Sequence, residues 1–359
     1  MIPISKPFIG KKEKEAVLEV MDSGIIVQGP KTEKLERKFA DLFGAQYAIA
    51  TSSGTTALHL AMLAHNIGPG DEVITTPFSF IATANSILYA GATPVFVDID
   101  ECSFNMDTEL IEEKINKKTK AILPVHLYGQ MCNMDKIQYL AEKYNLAIIE
   151  DACQAVGATY RGQAAGSYGT GVFSLYATKN IAAGEGGIIT TNDQQIAEKC
   201  RMLRNHGMKI RYHHDFLGYN FRMTDLHAAI GLAQLDRLSS FTNKRKENAA
   251  YFSSNLSSVI TPTVQDHCNH VWHQYTIRVK NGRHRDQAVK ELNDAGIGTG
   301  IFYPIPLHKQ KYIKDNFGEI SCPVAEKLSK EVISIPVHPQ LDNVDIKKIA
   351  EEVNRICLK

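Results

Sequence analysis

The chain is poor in the features that mark specialised chemistries. Its seven cysteines, Cys102, Cys132, Cys153, Cys200, Cys268, Cys322 and Cys357, are scattered, and the nearest two stand 21 residues apart. No CxxC pair occurs, which excludes zinc ribbons and thioredoxin-type motifs, and an odd, dispersed set reads as reduced thiols of a cytoplasmic protein. Neither sign of charge is in excess: 40 Lys+Arg against 39 Asp+Glu leave a net charge of +1. Such a balance provides no whole-molecule field for nucleic acid or an anionic membrane, although a local basic pocket stays open. No apolar run approaches 18 residues, which excludes a membrane-spanning helix. The opening MIPISKPFIGKKEKE lacks a basic-then-apolar signal pattern. GxGxxG and GxxxxGK[ST] are both missing. The His-rich stretch RNHGMKIRYHHD (204–215) has no ligand spacing such as HExxH, so no metal is expected. Lys11–Lys12 and KKTK (117–120) read as solvated faces.

What is present is an ordinary globular composition, 44% hydrophobic and 22% charged over 359 residues. At about 150 residues per domain this length suggests two domains, large enough to bury their cores without disulfides or metal. Between residues 47 and 191, short β-branched runs alternate with amphipathic stretches. The runs are YAIAT (47–51), EVITT (72–76), PVFVDI (94–99), AILPVHL (121–127), AIIED (147–151), VFSLY (172–176) and GIITT (187–191). Apolar on both faces, they read as strands covered by helices on two sides, an α/β unit with a mainly parallel sheet. Thr55–His65 and Met134–Tyr144 are among the connecting helices. Helical patterns follow at 193–205 and 224–240. Then HQYTIRV (273–279), a helix at 284–295, VISIPV (332–337) and a helix from Asp342 suggest a smaller α+β unit. A helix at Lys11–Ser23 belongs to an N-terminal arm that the pattern does not place.

Three segments carry chemistry. In TSSGTTALHLAM (51–62) a strand gives way to a small-residue turn and a helix, where unpaired amides and the helix dipole favour an anion; the same residues also make an ordinary cap. IIEDACQA (148–155) ends a buried strand on two acids, in the position where open α/β sheets bind ligands. A carboxylate there holds a cationic ring nitrogen, a metal or a ribose, or simply caps the next helix. GVFSLYATKNIAAGEGGIITT (171–191) sets Lys179 among small residues after a strand. A lysine is ordinarily a solvated charge, whereas a partly desolvated one loses its proton readily and forms Schiff bases.

Taken in order, an anion turn, an acid for a ring nitrogen and an amine for an aldehyde are what pyridoxal 5′-phosphate (PLP) needs. Here the sequence resembles the DegT/DnrJ/EryC1/StrS family of nucleotide-sugar aminotransferases. The resemblance rests on SSGTTALHLA, TPFSFIATAN, VFVDID, PVHLYGQ, EDACQA, FSLYATKN, GEGG, GYNFRMTDLHAAIGLAQL and YPIPLH, which run from about residue 29 to 308. It implies a fold type I α/β architecture: a large domain (1–240, with the arm) holding a mixed, mostly parallel seven-stranded sheet, and a smaller C-terminal α+β domain (241–359). It also implies Lys179 as the Schiff-base lysine, Asp151 on the ring nitrogen and Gln154 beside the ring. Thr55, Thr56 and Ser174 fall on the phosphate ligands, Phe80 on the stacking aromatic, and Asn220 on a residue reaching the partner subunit's phosphate. His126, Tyr128 and His308 are candidates for the sugar site or for structural roles. Arg222 is a candidate for a diphosphate or an interface carboxylate. LYAT lacks a proline many members carry before the threonine, and Cys153 stands where alanine is common; neither change removes a chemical group. The implied reaction moves an amino group from L-glutamate to C3 or C4 of a nucleotide-linked keto-sugar, in a cytoplasmic homodimer with shared sites, for surface polysaccharide or related glycoconjugates. Lysine rather than histidine at 179 favours transamination over a family dehydratase or a non-catalytic regulator.

Overall fold

A computed structural model describes residues 1–279 and 284–358. In chain order, α1 (Lys11–Ser23) and α2 (Pro30–Phe43) precede β1 (Tyr47–Thr51), α3 (Gly54–Ala64), β2 (Glu72–Thr75), α4 (Ala82–Tyr89) and β3 (Thr93–Phe96). Next come β4 (Thr119–Leu123), α5 (Met134–Tyr144), β5 (Ala147–Asp151), a small hairpin of β6 (Thr159–Tyr160) and β7 (Gln163–Ala164), then β8 (Thr170–Ser174), β9 (Gly187–Thr191) and α6 (Gln194–Arg204). The pair β10 (Met208–Ile210) and β11 (His213–His214) leads to α7 (Asp225–Leu235) and α8 (Leu238–Asn255). The remainder is β12 (Val259–Ile260), β13 (Cys268–Asn269), β14 (Tyr275–Val279), α9 (Arg285–Asp294), α10 (Lys311–Phe317), α11 (Pro323–Leu328), β15 (Val332–Ile335) and α12 (Asn343–Cys357).

All seven expected strands join one sheet, ordered β1-β9-β8-β5-β4-β2-β3. Only β9 runs antiparallel to its neighbours, pairing Ala50 with Ile188 and Val172 with Ile189. Pleating sends successive side chains to opposite faces. Ile148, Phe173 and Ile188 therefore enter one core with Leu35 and Phe39 of α2, while Ile149, Val172 and Ile189 enter another with Leu58 and Leu60 of α3. This double burial is why the strands read as apolar runs rather than alternating ones. AILPVHL yields a strand only to Leu123, because Pro124 brings no amide to the ladder.

A third core lies on an antiparallel sheet ordered β12-β14-β15, where Tyr275, Ile277 and Ile333 meet Phe252 of α8, Leu292 of α9 and Val353 of α12. The expected helix at 224–240 is two helices, broken at Asp236–Arg237, and the second runs on to Asn255. Arg237 turns away at the break to face the buried carboxylate of Glu13 at 3.3 Å and to cover the ring of Phe8. The N-terminal arm finds its place against the C-terminal unit: Ile2 donates to Gly296 O at 2.7 Å and accepts from Gly298 N at 2.8 Å. His338 Nε2 donates to the carbonyl of Pro3 at 3.1 Å. Among the described residues no helix is long and apolar enough to cross a membrane.

Candidate active site

A cavity of about 670 Å³ opens beyond the C-terminal ends of β5 and β8, walled by the α3 N-terminus, by Ile301–Tyr303 and by Ile4 and Ser5 of the arm. Its floor follows from strand geometry. Glu150 and Asp151 are neighbours in β5, so they leave the sheet on opposite sides. Asp151 borders the cavity, its Oδ2 accepting from Thr83 Oγ1 at 2.7 Å and its Oδ1 from Cys153 N at 3.3 Å. Glu150 faces away and accepts from the amides of Gly166, Tyr168 and Gly169 at 2.8–3.1 Å.

At one wall, Ser53 caps α3: its Oγ accepts from Thr56 N at 3.1 Å while Thr56 Oγ1 accepts from Ser53 N at 3.0 Å. Gly54 and Thr55, the first residues of the helix, border the cavity with amides that have no intrahelical acceptor. A Cβ on Gly54 would lie 2.9 Å from Ser174 Cβ and 3.0 Å from Cys153 Sγ, so only glycine lets the helix end come this close. With the Ser174 hydroxyl opposite, this is a cradle for an anion. Thr56 does not border it; its hydroxyl is spent on the cap, so of the two threonines only Thr55 faces the cavity.

Lys179 lies on the turn after β8, its amide donating to Tyr176 O at 2.9 Å, and its side chain borders the cavity. Burial pushes its ammonium below the usual lysine range, against the attraction of the nearby Cys153 and Asp151. Phe80 is 55% exposed, its ring on the rim and 6.4 Å from that of Tyr303. Gln154 is held by Tyr128 N, which donates to its Oε1 at 2.9 Å, and by Tyr303 OH, which accepts from its Nε2 at 3.2 Å. Lys179, Asp151, Gln154, Ser174, Thr55 and Phe80 thus meet around one space.

The four substrate candidates do not border it. His126 is fully buried and donates from Nε2 to Glu150 Oε2 at 3.0 Å, while its Nδ1 accepts from Cys132 N; it belongs to the clamp on the 166–169 loop. His308 is equally buried and pairs with Glu326 at 3.0 Å. Tyr128 lies behind Gln154, its hydroxyl donating to Phe302 O. Arg222 donates to Asn205 Oδ1 at 2.6 Å. Each of the four has a polar partner within the protein, although Nδ1 of His308 is buried without one among the described residues. Asn220 is exposed, bridged to Asn205 and away from this chain's own cavity. Other cavity residues carried no sequence signal of their own: Ser53 was absorbed in the cap, His273 in a strand pattern, Tyr303 in YPIPLH, and Ile4 and Ser5 in an unplaced arm.

The seven-stranded mixed sheet, with a lysine, an acid and a helix N-terminus around one cavity, defines the class: a fold type I transferase with PLP as cofactor. The chain belongs to the DegT/DnrJ/EryC1/StrS aminotransferase family, whose model matches residues 7–354. It is similar to a pleiotropic regulatory protein of Geobacillus stearothermophilus, with 43% identity over 93% of this chain and 91% of that one. It is also similar to the GDP-perosamine synthase of Caulobacter vibrioides, with 40% identity over 99% and 98%. Among solved structures, a Streptococcus pneumoniae protein in its PLP form superposes with a TM-score of 0.93 at 30% identity, over 99% of this chain and 98% of that one. The residues fit the cofactor: the cradle at Gly54 would suit a phosphate, Asp151 a ring nitrogen and Lys179 an aldehyde.

Proposed function

We propose that the protein transfers an amino group from L-glutamate to the C3 or C4 keto group of a nucleotide-linked sugar, making an amino sugar for surface polysaccharide or related glycoconjugates. The observation that carries this reading is Lys179 on the cavity wall with its ammonium disfavoured, alongside the buried Asp151. PLP, when bound, supplies the electron sink for the carbon from which a proton leaves. The chain supplies the rest. The free amides of Gly54 and Thr55 and the hydroxyls of Thr55 and Ser174 hold the phosphate. Asp151 favours a protonated ring nitrogen, and Thr83 keeps that carboxylate in place. Phe80 and Gln154 bracket the ring. Lys179 Nζ takes the proton from the amino-acid α-carbon and returns one to the sugar carbon that gains the amine. Its lowered affinity for a proton suits a base that works near neutrality. Two half-reactions in one cavity give ping-pong kinetics.

The same reading places a large domain at 1–240 and a small one at 241–359, and a cytoplasmic homodimer in which Asn220 serves the partner's phosphate site. Similarity to a GDP-perosamine synthase supports a nucleotide-linked acceptor. Similarity to a protein described as regulatory does not favour a silent site, since the lysine is in place. The test is colour and turnover. Protein purified with PLP should be yellow, should bleach with glutamate, and should regain colour with one of a panel of UDP-, dTDP- and GDP-linked keto-sugars. A colourless protein, or one that no keto-sugar restores, overturns the reading.

A further inference from the structure

Asn180, next to Lys179, is buried, and its amide is tied at both ends. Nδ2 donates to Val271 O at 3.0 Å, and Oδ1 lies 3.2 Å from Nδ1 of His273. A carbonyl only accepts, so the amide nitrogen must face Val271 and the amide oxygen must face the ring. Turning the amide over would set two oxygens together. A neighbour that can only accept fixes the imidazole proton on Nδ1, and Nε2 is left with a bare lone pair. No described residue hydrogen-bonds Nε2, and His273 borders the same cavity as Lys179. The backbone beneath it is held by Arg245 Nη1, which donates to the carbonyls of Trp272 and His273 at 3.1 and 3.3 Å. Burial, reinforced by the nearby Lys179, Arg245 and His270, keeps the imidazole neutral by pushing its proton affinity well below the usual range.

Two chemically opposite substrates alternate in this cavity. The amino-acid donor brings carboxylates, which only accept; a sugar brings hydroxyl or amide N–H donors. A lone pair welcomes the second and repels the first, whereas a protonated Nε2 would do the reverse. We infer that His273 is a specificity-determining residue for the acceptor: Nε2, freed by Asn180, accepts a hydrogen bond from a hydroxyl or amide N–H of the sugar. The inference rests on the aminotransferase reading above.

Two measurements test it. Nitrogen NMR of holoenzyme carrying labelled histidine, with the His273 signals found by subtracting the His273→Gln spectrum, should show Nδ1 protonated and Nε2 bare at neutral pH. A protonated Nε2 overturns the inference whatever the sugar. Single-turnover bleaching by glutamate and recovery of colour with a keto-sugar should then be compared in His273→Leu and His273→Gln. Loss of one neutral hydrogen bond should lower the ratio of recovery rate to bleaching rate about tenfold in His273→Leu. His273→Gln, whose amide oxygen accepts, should recover most of that ratio. If both half-reactions fall together, or the ratio is unchanged, His273 is only structural and the inference fails alone. If wild-type protein bleaches but no keto-sugar restores it, the sugar reading fails and takes this inference with it.

Discussion

At the scale of single residues, the proposed chemistry rests on Lys179 and Asp151. Removing the amine in Lys179→Ala should abolish the yellow colour due to lysine-bound PLP while the phosphate cradle still retains the cofactor, as an absorption spectrum and phosphate analysis of the same sample will show. Full activity in that variant would remove Lys179 from the mechanism. Asp151→Asn keeps the shape and loses the charge beside the ring nitrogen. At roughly 1.5–3 kcal/mol for a charge-assisted hydrogen bond, turnover should fall about 10- to 100-fold. A rate within a factor of two of wild type would leave Asp151 as a cap and nothing more. Both residues were legible in the sequence: Asp151 ends an apolar strand on a charge, and Lys179 sets one among small residues just after a strand, where packing alone asks for neither. His126 and His308 carry a similar signal, yet neither borders the cavity. What separates them from Asp151 is the partner each ring holds, Glu150 and Glu326, and a partner distant in sequence leaves no mark in a local pattern.

Elements show the same contrast. The sheet strands were readable because helices on both faces demand apolar residues at every position. Helix α2 lay outside the sequence expectations, and the start of that helix depends on a group far along the chain. Gly29 has no side chain to cap it; the buried carboxylate of Asp225, the first residue of α7, does so instead. Its Oδ1 accepts from the amides of Gly29 and Thr32 at 2.9 Å and from Thr32 Oγ1 at 2.6 Å, and its Oδ2 accepts from Lys31 N at 2.9 Å. A Cβ on Gly29 would come within 3.0 Å of that carboxylate. Asp225→Ala should strand these donors and cost about 2–4 kcal/mol in urea unfolding, at roughly 1–3 kcal/mol per buried unsatisfied group with partial rescue by water. Asp225→Asn should cost less, since one oxygen remains. An Asp225→Ala midpoint equal to wild type would show that α2 holds itself.

For the whole molecule, acid should be more damaging than base near neutrality. Burial lowers His270 to about 3, while an unfolded histidine titrates near 6.5. Below that value the unfolded chain takes a proton that the folded one refuses, so stability is flat above neutrality and falls as pH drops from 6.5 toward 3. By pH 5 this one group removes at most about 2 kcal/mol. Urea titrations at pH 7.5 and 5 should show the loss, and His270→Gln should reduce it; an unchanged slope in that variant would move the cause elsewhere. Assembly offers a second test. If Asn220 serves the partner's site, Lys179→Ala and Asn220→Trp should each be nearly inactive, and co-refolding them should restore roughly a quarter of wild-type activity, because half of randomly assorted two-fold dimers carry one intact site. A mixture that stays dead while refolded wild type recovers would confine Asn220 to its own chain.

The pairing of Ile2 with Gly296 and Gly298 also has a meaning in time. The first residues leave the ribosome first, yet the backbone they bond to is made nearly three hundred residues later. At 5–20 residues per second the arm waits roughly 15–60 s for its partner. During that wait Ile2, Pro3 and Ile4 have none of their final neighbours from the C-terminal unit, and the cavity lacks both the Ile4–Ser5 wall and the Ile301–Tyr303 wall. The sheet, the anion cradle and Lys179 are synthesised well before either wall can close. Cofactor reaching a nascent chain would meet its ligands in an open trough, and the enclosed chamber arrives only once residues 301–303 have been made.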